Sequence, residues 1–312
     1  MTRIGLLSTA HIHRAHLAAV AETSPVVAVA SRDRAKAEAF AQEHGIERVH
    51  GSYEELLADP GLDAVVIALP NALHHEWTMR ALAAGKHVLC EKPYTRQPHE
   101  AETAWDEAER RGLVLMEAFM WRHAAQTALM RELLPQLGPL YSVHAAFSFR
   151  WWRRDDDVRL VPELGGGSLL DVGCYCVSAF RLVAGEPDEA YGTGVSGRGG
   201  VDWGFAGVLR SSEVLGTLQC GFRHDERSLV VRGAGGELHA PDPWHASESR
   251  VYLNGVEHRA EPEDPYRRQL ANFVAAIGGE AEPLLGREDA VAQARALDAL
   301  WRAAASGRAV SL

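Results

Sequence analysis

Five short segments in the first third of the chain are apolar almost from end to end: Ile4–Leu7, Val26–Ala30, 63–69, 86–90 and 113–116. None alternates polar with apolar residues, so each must be covered on both faces, as the strands of a parallel sheet wrapped by helices are. Between them lie stretches with helical spacing, at 12–21, 34–44, 53–58, 72–84 and 99–111, several closed by a glycine (Gly45, Gly85, Gly112). Regular β-α repetition with right-handed crossovers predicts a doubly wound α/β domain over residues 1–121.

After residue 121 the rhythm changes. A helix is expected over 123–137, and a strand that alternates inward and outward residues over 139–149 (Tyr141, Val143, Ala145, Phe147, Phe149). Gly165-Gly166-Gly167 opens a helix expected over 168–183 and closed by Gly185. Short strands separated by Gly, Asp and Pro turns then run from 190 to 257, and helices at 266–277 and 287–305 finish the chain. This pattern predicts a second, α+β domain over 122–312 with a large, mainly antiparallel sheet. No internal repeat or low-complexity segment interrupts the chain.

Bulk properties narrow the classes of function. The chain has 312 residues, 46% of them hydrophobic and 24% charged, with a formal net charge of −10. No run of Lys or Arg exceeds two residues, and the balance is acidic, so a nucleic-acid partner is not expected. No apolar run approaches the ~18 residues of a membrane span, and residues 1–7 lack the cleavage pattern of a secretory signal. The four cysteines, Cys90, Cys174, Cys176 and Cys220, sit in apolar segments without paired metal-ligand spacing. They read as buried free thiols of a cytoplasmic protein, with no metal site.

In a doubly wound sheet, ligands bind at the carboxyl ends of the strands. The first such turn is Gly5-Leu6-Leu7-Ser8-Thr9-Ala10-His11-Ile12-His13. Backbone N–H groups of a turn in this place cradle a pyrophosphate. The three glycine positions of the usual G-x-G-x-x-G pattern are taken here by Ser8, Ala10 and His13. Ser and Ala leave room for a phosphate, whereas His13 departs from the pattern, and on this turn alone nucleotide binding and a plain structural turn both stay open. The second strand ends in Ser31-Arg32, with Arg34 and Lys36 behind, where an NAD site wants a carboxylate for the ribose hydroxyl. A hydroxyl and a guanidinium suit a 2′-phosphate, which favours NADP(H) over NAD(H); the alternative is a solvated, charged helix start, with Asp33 as its cap.

Further strand ends carry Leu69-Pro70-Asn71 with His74, and Cys90-Glu91-Lys92-Pro93. Asn71 alone is an ordinary helix cap, and Glu91-Lys92 alone an ordinary surface pair. In Gly165-Gly166-Gly167-Ser168-Leu169-Leu170-Asp171-Val172-Gly173-Cys174-Tyr175, Asp171 and Tyr175 stand four apart, on one face of an otherwise apolar helix. That placement suits an acid/base site, and equally a core tyrosine beside a structural aspartate. Arg150, Trp151, Trp152, Arg153, Trp203, Trp244 and His245 are candidates for a substrate wall, or else for the core or a subunit interface.

Taken together, the first turn, P-N-x-x-H at 70–74, E-K-P at 91–93, M-E-A-F-M-W-R at 116–122 and G-G-G-S-L-L-D-V-G-C-Y at 165–175 closely resemble the glucose–fructose oxidoreductase / inositol dehydrogenase (Gfo/Idh/MocA) family. The resemblance extends over essentially the whole chain. It implies a Rossmann domain that holds the dinucleotide through Ser8, Thr9, Ala10, His11, Ile12, Ser31, Arg32, Leu69, Pro70, Asn71, His74, Glu91, Lys92, Trp121 and Arg122. It implies a substrate site formed by Lys92, Arg150, Trp152, Asp171 and Tyr175, with Lys92, Asp171 and Tyr175 catalytic. Many members have His where this chain has Tyr175, and the tyrosine, like the Ser-Thr-Ala turn, is similar to the branch of NADP-dependent D-xylose 1-dehydrogenases and trans-dihydrodiol dehydrogenases. The implied activity is hydride transfer between NADP(H) and a sugar or polyol carbon, Tyr175 being the acid/base assisted by Lys92. A trans-dihydrodiol dehydrogenase, a keto-sugar reductase and a non-catalytic nucleotide-sensing regulator are the alternatives. A homodimer or homotetramer is expected, associating through the exposed sheet face.

Overall fold

The structure is a computed structural model that describes residues 1–20, 24–151, 156–245 and 249–312. The chain forms two compact units: 1–95, 99–120 and 266–290 make the first, and 96–98, 121–265 and 291–312 the second. The segment 266–290 thus joins the first unit, whereas a division at residue 121 leaves it in the second.

The first unit contains β1 (Ile4–Leu7), α1 (His13–Ala19), β2 (Val26–Ala30), α2 (Arg34–His44), β3 (Arg48–His50), α3 (Tyr53–Leu57), β4 (Ala64–Ile67), α4 (His74–Ala83), β5 (His87–Glu91), α5 (Pro98–Arg111) and β6 (Leu115–Ala118). The strands form one parallel sheet in the order β3-β2-β1-β4-β5-β6. The order reverses between β1 and β4, which opens the ligand crevice of a doubly wound sheet at their carboxyl ends. Ile4, Leu6, Leu7, Val65, Ile67, Val88 and Leu89 have no solvent-exposed surface, as strands covered on both faces require. The Asp33 side chain accepts a hydrogen bond from the Lys36 backbone N–H, so it caps α2, and Gly45 closes that helix in the left-handed region at φ 68°.

The second unit contains α6 (Ala125–Leu133), β7 (Leu140–Ser148), α7 (Cys174–Ala184), β8 (Glu189–Ser196), β9 (Asp202–Ser211), β10 (Val214–Gly221), β11 (Glu226–Gly233), β12 (Gly236–Pro241), β13 (Arg250–Leu253) and β14 (Val256–Arg259). The chain then runs through α8 (Pro265–Ile277), which belongs to the first unit from Tyr266 on, and ends with α9 (Arg287–Ser306) and β15 (Val310–Ser311). The strands form one nine-stranded sheet in the order β14-β13-β12-β11-β7-β10-β9-β8-β15. Every described pair is antiparallel except β7 with β10, which is parallel. One face buries Val143, Ala145, Phe147, Leu209, Leu218, Leu229 and Val231. Each such valine, leucine or phenylalanine side chain contributes roughly 1.5–3 kcal/mol on leaving water.

Two helices differ from the sequence expectation. The one expected over 123–137 is α6 followed by a 3-10 turn over Leu134–Leu137, because Pro135 lacks the N–H that an α-helix needs. The one expected over 168–183 opens instead with a π turn over Leu169–Gly173 before α7 begins. By length and apolarity the helical stretch Pro162–Ala184 meets the requirement for a membrane span, yet 72% of its apolar window is buried inside the protein. All four cysteines are buried and free.

Candidate active site

The turn after β1 is built around Ser8, whose φ of 106° is unusual for a residue with a side chain. Its hydroxyl donates to the Ala68 carbonyl at 2.8 Å and accepts from the Ala10 N–H at 3.2 Å. The loops after the two central strands are thereby tied across the crevice. Thr9, Ala10 and Ile12 are half-buried and His11 is exposed. His13, the departure from the glycine pattern, has no exposed surface. Its Nε2 lies 3.4 Å from Ser8 Oγ and 3.5 Å from the Leu7 carbonyl, and its Nδ1 lies 3.3 Å from Nδ1 of His16. Burial, reinforced by His16, pushes its pKa down to about 3, so the ring is neutral at ordinary pH. The imidazole therefore packs inward beneath the turn, against Ser8, Leu7 and His16. Nε2 of His16 in turn stands 3.3 Å from a Glu91 carboxylate oxygen, without the alignment of a hydrogen bond.

At the end of β2 Ser31 is buried and its hydroxyl accepts the Asp33 N–H at 3.2 Å. The Arg32 side chain is exposed; burial raises the pKa of the Tyr53 phenol, and the Arg32 guanidinium opposes that rise. With Asp33 occupied as a helix cap, the strand end presents a cation and a hydroxyl.

Beyond β4, Leu69 and Pro70 are half-buried, and Asn71 begins a 3-10 turn over Asn71–Leu73. His74 is fully buried, its ring nitrogens each 2.9 Å from a backbone carbonyl, those of Leu69 and Pro93. Beyond β5, Glu91 and Lys92 are half-buried, and the Lys92–Pro93 peptide is cis. The Tyr94 N–H donates to the Glu117 carboxylate at 2.8 Å, with Glu117 itself buried at the end of β6. Of the residues expected at the dinucleotide, those from Ser8 to His74 together with Glu91 and Lys92 lie at or beyond the carboxyl ends of β1, β2, β4 and β5, whereas Trp121 and Arg122 belong to the second unit.

In the second unit, the helix carrying Asp171 and Tyr175 packs on the buried sheet face. Its start is fixed by Asp202 of β9, one oxygen of which accepts both the Ser168 hydroxyl at 2.6 Å and the Leu169 N–H at 2.8 Å. Burial raises the pKa of Asp202 in spite of these bonds. The glycine triplet admits backbone and this carboxylate: a Cβ on Gly166 would overlap the Arg159 carbonyl, and one on Gly167, at φ +113°, would overlap Asp202. Arg159 Nε donates to Asp171 at 3.0 Å and its NH1 group to Asp157 at 3.2 Å. The Asp171 carboxylate beside it raises the pKa of Arg159 further. The Tyr175 ring is largely buried, edge-on to Phe147 at 5.1 Å and to Trp244 at 5.9 Å.

Of the remaining candidates, Trp121 is fully buried against Trp244, at 5.5 Å between centroids. Arg122 is half-buried and reaches the Ser178 hydroxyl at 3.3 Å. Arg150 is exposed, and Trp152 and Arg153 lie outside the described residues. Trp244 is buried with its indole N–H on the Ala146 carbonyl at 2.8 Å, while Trp151 and Trp203 join Phe149 and Phe222 in a separate aromatic cluster. Sequence reasoning missed Arg159, Glu117 and Asp202. Glu117 alone had a signal, a carboxylate inside an apolar strand.

Residues 3–119 match the model of an oxidoreductase family with an NAD-binding Rossmann fold, and residues 128–239 that of the GFO/IDH/MocA C-terminal domain. The chain belongs to the Gfo/Idh/MocA family of oxidoreductases. It is 41% identical to D-xylose 1-dehydrogenase (NADP(+)) 2 of Haloferax volcanii, over 99% of both chains. It is 32% identical to trans-1,2-dihydrobenzene-1,2-diol dehydrogenase of Xenopus tropicalis, over 81% of this chain and 77% of that one. Among solved structures, a 3-ketoreductase from Actinomadura kijaniata in complex with NADP and TDP-benzene superposes with a TM-score of 0.89 at 31% identity, over 97% of each chain.

Proposed function

We propose that this protein is an NADP-dependent oxidoreductase that moves hydride between the nicotinamide and a C–OH or C=O carbon of a sugar or polyol. The observation that carries the cofactor choice is the end of β2, where Ser31 and the exposed Arg32 stand and the nearest carboxylate, Asp33, is spent on capping α2. The residues fit the dinucleotide: Ser8 and Ala10 leave room at the phosphate turn, and His13 turns its ring inward. When bound, the nicotinamide supplies the hydride chemistry.

This chain's residues supply position and protons. Tyr175 holds the mobile proton at its Oη, taking it from the substrate hydroxyl in oxidation and returning it in reduction. A free tyrosine titrates near pH ~10, and an ammonium beside it favours the phenolate, the part that this reading gives to Lys92. Asp171, held by Arg159, orients the substrate. Phe147 and Trp244 give Tyr175 an aromatic surround that suits a sugar ring or an aromatic diol, so trans-dihydrodiols and keto-sugars belong in the substrate panel.

The test is a titration with NADPH and NADH, followed by sugars, polyols and dihydrodiols with NADP⁺. Micromolar NADPH binding with much weaker NADH, and a turnover that Tyr175→Phe removes, supports the reading. Binding of neither dinucleotide sinks it, normal turnover in Tyr175→Phe sinks the assignment of the proton, and binding without turnover on any substrate points to a nucleotide sensor.

We also propose a homodimer or homotetramer of this cytoplasmic protein, associating through the outer sheet face. Strand register places Tyr191, Val208, Thr217, His144 and Val230 in one row across it, with Leu215 in the next. Tyr191 and Leu215 are 45% and 49% exposed, and such a face gains by covering its apolar side chains in an interface. A monomeric mass in solution overturns this.

A further inference from the structure

His74 opens α4, and its side chain has no exposed surface. Its Nδ1 lies 2.9 Å from the carbonyl of Pro93 and its Nε2 2.9 Å from that of Leu69. Those carbonyls belong to the loops that leave two neighbouring strands, since β4 and β5 pair with Ile67 opposite Cys90. One loop leads to Asn71, and the other contains Lys92. The residue after Pro93 is held from the other side by the Tyr94 N–H on Glu117.

We propose that His74 is a two-ended positioning residue, its Nε2–H fixing the Leu69–Asn71 turn against the dinucleotide and its Nδ1–H fixing the corner that aims Lys92. This rests on the reading of those loops as cofactor and proton-transfer elements, and it goes beyond that reading by making their placement interdependent. Carbonyl oxygens only accept, so both bonds form together only when each ring nitrogen carries a hydrogen, which is the imidazolium. Burial is the largest influence and, with the Lys92 ammonium, holds the ring's pKa below its ordinary value against the two backbone carbonyls and the Glu91 carboxylate, so both bonds form together on the acid side. Loss of the second proton, as pH rises, releases one end.

The two ends separate experimentally, because the amide nitrogen of asparagine reaches the position of Nδ1 and that of glutamine the position of Nε2. His74→Asn keeps the Pro93 bond and lets the Leu69 turn go; His74→Gln does the reverse. The first variant is expected to raise the Kd for NADPH by about five- to tenfold, the equivalent of one net hydrogen bond, and to change kcat less. The second is expected to lower kcat by a similar factor and to change Kd less, and His74→Ala to do both. Equal losses in both variants, or no loss in either, overturn the proposal. If the variants fail to fold, the ¹⁵N shifts of the His74 ring in the wild-type protein decide it: protonation at both nitrogens at the acid end of about pH 5–8 supports the two-ended clamp, and one unprotonated nitrogen throughout overturns it. A wild-type protein that binds no dinucleotide defeats the NADP reading, while the ring shifts still test the clamp.

Discussion

The Ser8 hydroxyl donates to the Ala68 carbonyl across 2.8 Å, and so joins the loops that follow the two central strands of the parallel sheet. The same oxygen accepts the Ala10 N–H, which shapes the turn proposed to face the dinucleotide. Ser8→Ala leaves both partners unsatisfied and keeps the unfavourable φ, and is expected to weaken NADPH binding by about five- to tenfold with about 1–2 kcal/mol of lost stability. Ser8→Gly also loses the bonds but relieves the φ of 106°, so it should melt above Ser8→Ala. Isothermal titration and thermal melts read both, and equal melting points would remove the backbone argument.

Arg32 is expected to set cofactor preference. Arg32→Ala should raise the Kd for NADPH by about 10- to 100-fold, the range for a charged hydrogen bond, and leave that for NADH nearly unchanged. Parallel loss of both affinities would mean that Arg32 acts through the fold, for instance through its charge acting on Tyr53.

His13 makes stability depend on pH. Its folded pKa is about 3 against an ordinary 6.5. Between those values the unfolded chain takes up a proton that the folded chain does not, so stability rises with pH across that window and falls on acidification. The effect is on the order of 3–5 kcal/mol over the full window. Melting temperatures measured from pH ~6.5 downward should fall steeply in the wild-type protein and more shallowly in His13→Asn. An unchanged slope in the variant would assign the acid sensitivity elsewhere, with buried His74 the next group to examine.

Asp202 holds the start of the helix that carries Tyr175. Both of its bonds use the same oxygen. Asp202→Asn, with its carbonyl in that place, should retain most of the stability, whereas Asp202→Ala should lose about 2–3 kcal/mol, together with turnover. Calorimetry that finds the two variants equally stable would show that the carboxylate does not fix the helix start.

The parallel sheet was legible because burial on both faces leaves no polar residue in strands such as Ile4–Leu7. The three-residue strand Arg48–His50 was not legible, since its residues are only half-buried and include two polar ones. The close approach implied by the glycine triplet was readable, although what comes close there is the chain's own Arg159 carbonyl and Asp202. The π turn at Leu169–Gly173 was hidden, because an apolar helix shows the same residues whichever register its hydrogen bonds take. Arg159 was hidden because its tie to Asp171 spans twelve residues of irregular chain. His13 was visible as an anomaly, and only its inward orientation explains it.

The parallel pairing of β7 with β10 has a consequence for how the protein assembles. His144 and Thr217, bonded side by side in that pair, are 73 residues apart in the chain. A hairpin cannot make such a pair, and the long connection between its strands contains the entire helix that bears Asp171 and Tyr175. Closing a loop of that length is slow and entropically unfavourable until the intervening chain has packed. The centre of the large sheet and the acid–base helix therefore become native together, and a nascent chain released before residue 214 has neither.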